Sequence, residues 1–531
     1  MTTAPTAPTT LSASGVLGSI TPALLAWLAT RVTAAAGHDT VTTLAPYTLE
    51  PLATLPVSSP KVVTEAFLTA REAQRAWAAR PARDRAAVLL RFHDLVLDRQ
   101  DAALDLMQAE NGKTRRDAFL EITDIAATAR YYARKGPSLL KPRRRRGTIP
   151  GLTRTRELHH PKGVIAVISP WNYPLSMAAG DTIAALMAGN AVVQKPDTQT
   201  ALTALWAHEL LAEAGLPAGV WQLVVGSGSS IGPALMAGAD YVMFTGSTAT
   251  GRSIARDAGE RLIGASLELG GKNPMLVLAD ADLDQAVEGA IRACFPSAGQ
   301  LCVSIERLYV HDSLYEEFTT RFAARTRRLT LGAGFDYGYD VGSLTNPAQL
   351  STVTAHVDDA VATGATVLAG GRARPDLGPL FYEPTILTGV TSDAVCYRAE
   401  TFGPLVSVYP YSTDEEAIAL ANDTEYGLNA SVWTTSPRHG RQVAAQIHAG
   451  TVNINEAFAA AWGSLDAPMG GMGDSGLGRR HGADGLLKYT EAQTIAHQRL
   501  HPIAPARGMD HDTFAKAMTT GLRLLKRTRL R

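Results

Sequence analysis

Short apolar runs alternate with helical patterns in the middle of the chain, and this alternation limits the folds open to it. Four buried-strand signals begin near Gly163, Ala191, Leu223 and Tyr241, and segments with helical periodicity separate them. Strands that alternate with helices in this way predict a parallel sheet with helices on both faces. A second alternation begins at Pro274, so we predict an α/β protein with two such domains.

Before this region the chain is helical by pattern and irregular at its start. Helical periodicity covers residues 63–80, 84–111 and 115–135, and Gly136-Pro137 predicts the end of the third helix. The Thr-, Ala- and Pro-rich beginning predicts disorder, which we extend over residues 1–30. It does not read as a signal peptide.

Composition excludes several classes of protein. The chain has 50 basic and 50 acidic residues, so no global field draws it to nucleic acid or to a membrane. It has no uninterrupted apolar run of about twenty residues, the length that a spanning helix needs. Three widely spaced cysteines argue against a disulfide framework and favour a reducing compartment. We therefore expect a cytoplasmic protein, and we predict no metal site.

Polar and small residues follow the predicted strands, at the edge where open α/β sheets bind ligands. Asn172, in the run Pro170–Pro174, carries an amide suited to stabilise an oxyanion. Lys195 follows the next strand and can reach the oxygens of a dinucleotide. Gly246 and Gly251 bracket a helix start, where backbone N–H groups favour phosphate. Taken singly, each also fits a plain turn or strand end.

A cysteine and an upstream carboxylate are the chemically strongest pair in the chain. Cys302 follows Gly299 and Gln300, and Glu268 lies thirty-four positions earlier (302 − 268), before Gly270-Gly271. Covalent catalysis by cysteine needs a thiolate or a base that makes one. A partly buried Glu268 would have a raised pKa and could serve as that base. We interpret Cys294 and Cys396 as small buried residues.

Eight short motifs in a fixed order resemble the aldehyde dehydrogenase superfamily. The resemblance covers roughly residues 45–497, and agreement of all eight by chance is negligible. They are Pro170–Asn172, Lys195-Pro196, Phe244–Ser247, Glu268–Lys272, Gly299–Cys302, Glu400–Pro404, Tyr426–Leu428 and Pro468–Gly471.

The resemblance implies the aldehyde dehydrogenase fold, with two parallel-sheet Rossmann-like domains and a small β oligomerisation element. It places an NAD(P)-binding domain at 31–139 and 159–269 and a catalytic domain at 270–482. The oligomerisation element then comprises 140–158 and 483–498, and a basic amphipathic extension follows at 499–531. A homodimer or homotetramer is expected.

The resemblance also implies roles for single residues. Cys302 would attack an aldehyde, Asn172 would hold the oxyanion, and Glu268 would activate the water that hydrolyses the thioester. Glu400 would hold the nicotinamide ribose, and Phe402 would pack beside the nicotinamide. The remaining cofactor-binding candidates are Trp171, Lys195, Thr198, Gly246, Ser247, Gly251 and Leu269.

Within the family, the runs Ser297–Arg307 and Ala467–Gly473 resemble actinobacterial succinate-semialdehyde dehydrogenases. Thr198 stands where NAD-preferring relatives carry a glutamate, so we expect NADP to be preferred and NAD to be possible, although Asp197 is adjacent. Gly180 and Pro296 stand where semialdehyde relatives use arginines for the substrate carboxylate. A broad-range or betaine-type aldehyde dehydrogenase therefore stays open, as does a catalytically silent relative.

Two basic segments lie outside the motifs. Arg143–Arg146 predicts a solvated sheet edge guarded by charge, with nucleic-acid binding as the alternative. We expect no nucleic-acid partner. The tail from Phe514 to Arg531 has apolar and basic residues at helical spacing, so it could lie on a membrane surface or dock on a partner subunit.

Overall fold

The structure is a computed structural model that describes residues 18–149, 152–499 and 502–527. Eighteen α-helices lie within these ranges: α1 (Pro22–Ala29), α2 (Pro60–Ala79), α3 (Ala82–Asp98), α4 (Gln100–Asn111), α5 (Arg115–Leu139), α6 (Pro174–Ala188), α7 (Ala201–Glu213), α8 (Gly228–Gly238), α9 (Thr248–Glu260), α10 (Leu283–Cys294), α11 (Asp312–Thr326), α12 (Pro347–Ala362), α13 (Val395–Arg398), α14 (Asp414–Asn422), α15 (Pro437–Ala444), α16 (Ala459–Trp462), α17 (Gly482–Leu487) and α18 (His511–Arg527). None of them is long and apolar enough to cross a membrane.

Twenty strands form five sheets in the same part of the chain. They are β1 (Thr40–Leu44), β2 (Pro51–Pro56), β3 (Arg143–Arg146), β4 (Thr153–Pro161), β5 (Val164–Ser169), β6 (Ala191–Pro196), β7 (Trp221–Leu223), β8 (Tyr241–Thr245), β9 (Gly264–Glu268), β10 (Asn273–Val277), β11 (Ile305–His311), β12 (Thr366–Ala369), β13 (Thr385–Thr388), β14 (Leu405–Tyr411), β15 (Tyr426–Gly427), β16 (Asn429–Trp433), β17 (Thr451–Ile454), β18 (Met472–Gly473), β19 (Gly476–Leu477) and β20 (Thr490–Gln498).

The first large sheet has six strands in the order β19-β9-β8-β5-β6-β7. Strands β5 to β9 pair in parallel, and β19 pairs antiparallel with β9. Helices pack against this sheet, and β5 and β6 are almost wholly buried, as their continuous apolar runs predict. The four strand signals of the sequence correspond to β5, β6, β7 and β8.

The second large sheet has seven strands in the order β12-β13-β14-β11-β10-β16-β17. Its strands are parallel apart from β12, which runs antiparallel to β13 at one edge. Two further apolar clusters contain residues of this sheet, and Phe318 and Phe322 are fully buried in one of them. The predicted α/β class is therefore confirmed, with two doubly covered sheets.

A third, antiparallel sheet stands apart, in the order β20-β4-β3. Strand β3 consists of Arg143–Arg146 and forms an outer edge, where Arg145 donates to Glu157 on β4 at 2.5 Å. The prediction of a charged sheet edge is confirmed. Strand β20 is exposed along most of its length and forms the opposite edge.

The prediction that residues 1–30 are disordered is wrong for residues 18–30. Thr21 caps α1 by accepting a hydrogen bond from the Leu24 backbone N–H, and Ile20 and Leu28 are fully buried. An N-cap and two core anchors are enough to order this segment. Residues 1–17 lie outside the described residues.

Two helix boundaries also differ from the predicted ones. The pattern over 84–111 is two helices, α3 and α4, because the chain turns at Arg99. Helix α5 continues through Gly136-Pro137 to Leu139, and the Leu140 N–H bonds the Gly136 carbonyl at 3.0 Å. The absence of a side chain at Gly136 lets α5 approach Met187 closely.

The chain returns to the first sheet near its end. Residues 476–477 fall in the predicted catalytic segment, yet β19 pairs with β9, with Gly476 opposite Glu268. Helix α17 then packs on α6. The first sheet therefore includes a strand from far along the chain.

Gly476 should be intolerant of any side chain. Its φ is +128°, and an added Cβ would lie 1.9 Å from the Leu267 carbonyl oxygen. We expect Gly476→Ala to lower the free energy of unfolding by about 1–3 kcal/mol, measured by urea denaturation. The matched control is Gly259→Ala in α9, where nothing lies within 4 Å; it should be neutral or stabilising. Equal stability of the two variants would contradict this account of β19.

Candidate active site

A cavity of about 800 Å³, its open mouth included, lies where the loops after β5, β8 and β9 meet the loop before β11. Most of the predicted site residues line it: Trp171, Asn172, Gly246, Ser247, Glu268, Leu269, Cys302, Glu400 and Phe402. Lys195, Thr198 and Gly251 do not line this cavity. The structure thus brings the three predicted catalytic residues together.

Strand β9, which sequence patterns did not reveal, ends at Glu268 and places it in the cavity. The side chain is 6% exposed, and its Oε1 atom has no hydrogen-bond partner among the described residues. Burial raises the pKa of Glu268 to about 7, although the nearby charges of Arg480 and Lys488 oppose this shift. A carboxyl group that is half ionised near neutrality suits a general base.

The turn before Cys302 has an unusual backbone. Ser297, Ala298 and Gly299 have φ angles of 50°, 55° and 72°, a left-handed conformation that non-glycine residues rarely adopt. The Asp117 carboxylate accepts a hydrogen bond from the Ser297 N–H at 2.9 Å. At Gly299, a Cβ would lie 2.0 Å from the Gly403 carbonyl oxygen, so this position requires glycine.

The other side of the cysteine is fixed by one amide. Asn273 Nδ2 donates to the carbonyl oxygens of Cys302 and Ser304, both at 2.7 Å. Burial raises the pKa of the Cys302 thiol to about 12; Arg480 opposes the shift, and Glu268 and Glu400 add to it. The thiol is therefore protonated at neutral pH, and nucleophilic attack needs a base.

Asn172 is 5% exposed and held on both its side chain and its backbone. Its Nδ2 donates to the Gln300 carbonyl at 3.0 Å, which leaves one amide N–H for a ligand. Lys113 donates to the Asn172 carbonyl at 2.7 Å and pairs with Glu121 at 2.5 Å. Glu121 also accepts the backbone N–H of Leu175 and Ser176 and so anchors the start of α6.

Two aromatic rings in the lining of the cavity meet edge to face. The ring centroids of Trp171 and Phe402 are 5.5 Å apart, at an angle of 90°. Glu400 beside them accepts the Gly271 N–H at 2.9 Å. Burial, with the nearby charge of Glu306, raises the pKa of Glu400 to about 8.

The remaining cofactor candidates lie around the neighbouring strand ends. Ser247 caps α9 by accepting the Thr250 N–H. Gly251 supports this helix by packing, since a Cβ there would lie 2.5 Å from Leu269. Lys195, at the end of β6, is 8% exposed, and burial lowers its pKa. Thr198 opens the short 3-10 turn Thr198–Thr200 that follows.

Sequence reasoning missed Glu306, which organises the Glu400–Phe402 segment. Glu306 is 4% exposed and pairs with Lys272 at 2.5 Å. Its carboxylate also accepts the N–H groups of Thr401 and Phe402, both at 2.9 Å. The sequence signal for Glu306 is that an acidic residue lies within the otherwise mostly apolar strand β11.

With this geometry in place, comparison with known proteins identifies the class. The model of the aldehyde dehydrogenase family matches residues 32–495. The chain belongs to the aldehyde dehydrogenase family and is an oxidoreductase, so the predicted family, fold and enzyme class are confirmed.

Similar curated proteins include two from mycobacteria. The chain is 54% identical over 481 residues to a putative succinate-semialdehyde dehydrogenase [NADP(+)] of Mycolicibacterium smegmatis, covering 91% of this chain and 93% of that protein. It is 53% identical over 472 residues to putative succinate-semialdehyde dehydrogenase [NADP(+)] 2 of Mycobacterium tuberculosis, covering 89% and 91%.

Solved structures share the fold along most of their length. A succinate-semialdehyde dehydrogenase from Burkholderia pseudomallei superposes with a TM-score of 0.85 at 34% identity, covering 90% of this chain and 99% of that one. A betaine aldehyde dehydrogenase from Staphylococcus aureus in complex with NAD+ gives 0.84 at 31%, covering 90% and 96%.

Glu306→Gln should loosen the segment that carries Glu400 and Phe402. The glutamine side chain would keep one acceptor oxygen but would leave Lys272 buried without its counter-charge, at a cost of about 3–5 kcal/mol. We expect a lower melting temperature and a KM for the cofactor at least several-fold higher, measured by steady-state kinetics. Glu288→Gln, which removes an exposed ion pair with Arg325, is the matched control and should change neither value appreciably. Unchanged values in Glu306→Gln would contradict this role for the buried pair.

Proposed function

We propose that the protein oxidises succinate semialdehyde to succinate, with NADP as the preferred electron acceptor. The observation that carries this proposal is the cavity that Cys302, Glu268 and Asn172 share. The names of the relatives at 53–54% identity support the substrate and the cofactor.

The cavity supports a covalent mechanism. The Cys302 sulfur bonds to the aldehyde carbon, and a base takes the thiol proton, because the raised pKa keeps the resting thiol protonated. The free N–H of the Asn172 amide and the backbone N–H of Cys302 then stabilise the oxyanion of the thiohemiacetal. A nicotinamide cofactor bound beside Glu400 and Phe402 would supply the hydride acceptor that converts the thiohemiacetal on Cys302 into a thioester.

Glu268 completes the cycle. As a carboxylate it takes a proton from water, whose oxygen attacks the thioester carbon and releases the acid and the thiol. The free Oε1 atom of Glu268 is available for that water. A silent relative would have no use for a nucleophile, a base and an oxyanion donor facing one cavity, so this arrangement favours an active enzyme.

The residues around the cavity fit a dinucleotide. Glu400 offers a buried carboxylate for ribose hydroxyls, and Ser247 lies at the N-terminus of α9, where phosphate is favoured. Lys195 donates to the Pro196 carbonyl at 3.3 Å, a weak bond that a ribose oxygen can replace. We propose that Trp171, Gly246, Leu269 and Phe402 also contact the cofactor. Gly251 would contribute indirectly, because it lets α9 pack closely on Leu269.

One observation favours a second candidate, a betaine-type or broad-range aldehyde dehydrogenase. A neighbouring cavity of about 710 Å³ shares Tyr173, Leu301 and Trp462 with the first and is mostly apolar. Its charged group is Asp124, whose pKa burial raises to about 6. A carboxylate among aromatic rings favours a cationic substituent on the aldehyde.

A series of aldehydes of similar size and different charge tests the proposed function. Reduced-cofactor formation would be measured with succinate semialdehyde, butanal and betaine aldehyde, with Cys302→Ala as the blank. We expect kcat/KM to be about 100-fold higher for succinate semialdehyde than for butanal, about 2.7 kcal/mol in the transition state. Preference for betaine aldehyde that Asp124→Asn abolishes would establish the second candidate, and activity no higher than the blank would leave a silent relative.

The pKa of Glu268 sets the expected pH dependence. Only the carboxylate can act as a base, so thioester hydrolysis should slow as pH falls through about 7. Glu268→Gln should lower the hydrolysis rate by about 10²–10⁴-fold and remove this inflection. Rapid-quench measurement of the acyl-enzyme between about pH 5.5 and 9 checks both. An unchanged inflection in Glu268→Gln would assign it to another group.

Thr198 bears on the choice of cofactor. A carboxylate at this position would repel a 2′-phosphate and accept hydrogen bonds from a ribose hydroxyl, whereas threonine carries no charge to repel it. We expect kcat/KM to favour NADP over NAD, and Thr198→Glu to lower the NADP/NAD ratio by at least about 10-fold. The matched control is Thr200→Ser, which is buried on the same turn and should leave the ratio unchanged. A wild-type preference for NAD would refute the proposal.

We also propose that the chain acts as a cytoplasmic homodimer or homotetramer. The segments 140–158 and 483–498 contain the two outer strands β3 and β20, whose free edges can pair with a partner's sheet. Helix α18 has no buried residue among those described and exposes Leu522 and Leu524, which suits docking on a partner or a membrane surface. Sedimentation velocity and vesicle binding, with and without residues 509–531, separate these roles; a monomer would refute the assembly.

A further inference from the structure

A second, smaller cavity lies directly beside the catalytic one. Its volume is about 410 Å³ with the open mouth included. It is bounded by Gly180 on α6 and by Arg480 and His481 after β19, and it shares Met177 and Trp462 with the catalytic cavity. Cys302 packs against the apolar cluster that contains Met177 and Met469. The two cavities therefore adjoin at Met177 and Trp462.

Gly180 leaves this space open. A Cβ at Gly180 would meet only the Ile125 methyl group, at 3.7 Å, within 4 Å. The position can therefore hold a side chain without backbone strain, and the cavity exists because it holds none. A ligand group can occupy the volume that a larger residue would fill.

Polar atoms of both basic residues at the boundary of this cavity lack a hydrogen-bond partner within the described part of the chain. They are Nε of Arg480 and Nδ1 of His481. The Arg480 side chain is 12% exposed, and His481 is 8% exposed. Buried polar atoms without partners are rare in folded proteins, so two on adjacent residues beside one cavity indicate a missing ligand.

The position of Arg480 is fixed by its other bonds. It pairs with Asp181 at 2.8 Å and donates to Thr245 Oγ1 at 2.5 Å. Lys488 also pairs with Asp181, at 3.5 Å. Two cations thus share the Asp181 carboxylate, and Asp124, whose pKa burial raises to about 6, is the other carboxyl group in the lining of this cavity.

We propose that Arg480, assisted by His481, binds the distal carboxylate of a short semialdehyde acid in this cavity. The inference rests on the proposed function. It supplies a cationic partner for the substrate carboxylate, which Gly180 and Pro296 cannot provide. Arg480 reaches the site from the C-terminal segment rather than from α6. A guanidinium with a free N–H is suited to a carboxylate.

The test uses Arg480→Gln and compares substrates that differ only in charge. We expect the kcat/KM ratio of succinate semialdehyde to butanal to fall about 100-fold, while succinate loses at least about 10-fold in competitive inhibition of butanal oxidation. The matched control is Lys488→Gln, which removes the other cation on Asp181 but does not border the cavity; its ratio should stay near the wild-type value.

The outcomes separate the two proposals. A wild-type ratio near one defeats the proposed function, whereas succinate inhibition of butanal oxidation still measures carboxylate binding by Arg480. An equal loss for both aldehydes in Arg480→Gln, with succinate inhibition unchanged, overturns the subsite and leaves Arg480 with a purely structural role. If Arg480→Gln does not fold, Gly180→Leu fills the same cavity with Arg480 intact; an unchanged ratio in that variant also overturns the proposal.

Discussion

Buried glutamates that accept backbone N–H groups from distant segments hold the site together. Glu306 binds the segment at Thr401 and Phe402, Glu121 binds the start of α6, and Glu110 accepts the Leu202 and Thr203 N–H groups at the start of α7. Each is almost completely buried. A buried carboxylate is costly unless its oxygens are occupied, so each one specifies where the segment opposite it must lie.

The same exclusion of water prepares the catalytic groups. It raises the pKa of both Cys302 and Glu268. This shift hinders the role proposed for Cys302 and helps the role proposed for Glu268. The thiol becomes harder to ionise, and the carboxylate becomes a stronger base. Both shifts have burial as their largest cause, so in the proposed mechanism the same exclusion of water keeps the resting thiol protonated and makes Glu268 a stronger base.

The residues that meet in the cavity were predictable from sequence because each lies in a short motif with a fixed neighbour. Cys302 follows Gly299, and Glu268 precedes paired glycines, so their chemistry could be inferred without knowing the fold. Strand and helix alternation likewise predicted both large sheets. Strand β9 was not predicted, because its five residues include glycine, serine and glutamate and few apolar residues.

The supporting groups could not be predicted, because their roles arise from neighbours distant in sequence. Glu306 lies 95 positions from Thr401, and Arg480 reaches Thr245 across 235 positions. The ordered segment after residue 18 was missed for a similar reason, since its burial depends on helices far along the chain. Periodicity shows which face of a helix or strand is apolar, but it does not show which distant residues pack against that face.

Strand β19 has a mechanical consequence. It is only two residues long, yet it joins the loop that precedes it, beside Met469, to the strand that ends at Glu268. Strand β19 therefore attaches this loop to the first sheet at Gly476, opposite Glu268. Because the Leu269 N–H also donates to the Ser475 carbonyl at 3.0 Å, a displacement of this loop would be transmitted to the backbone at Glu268 and Leu269.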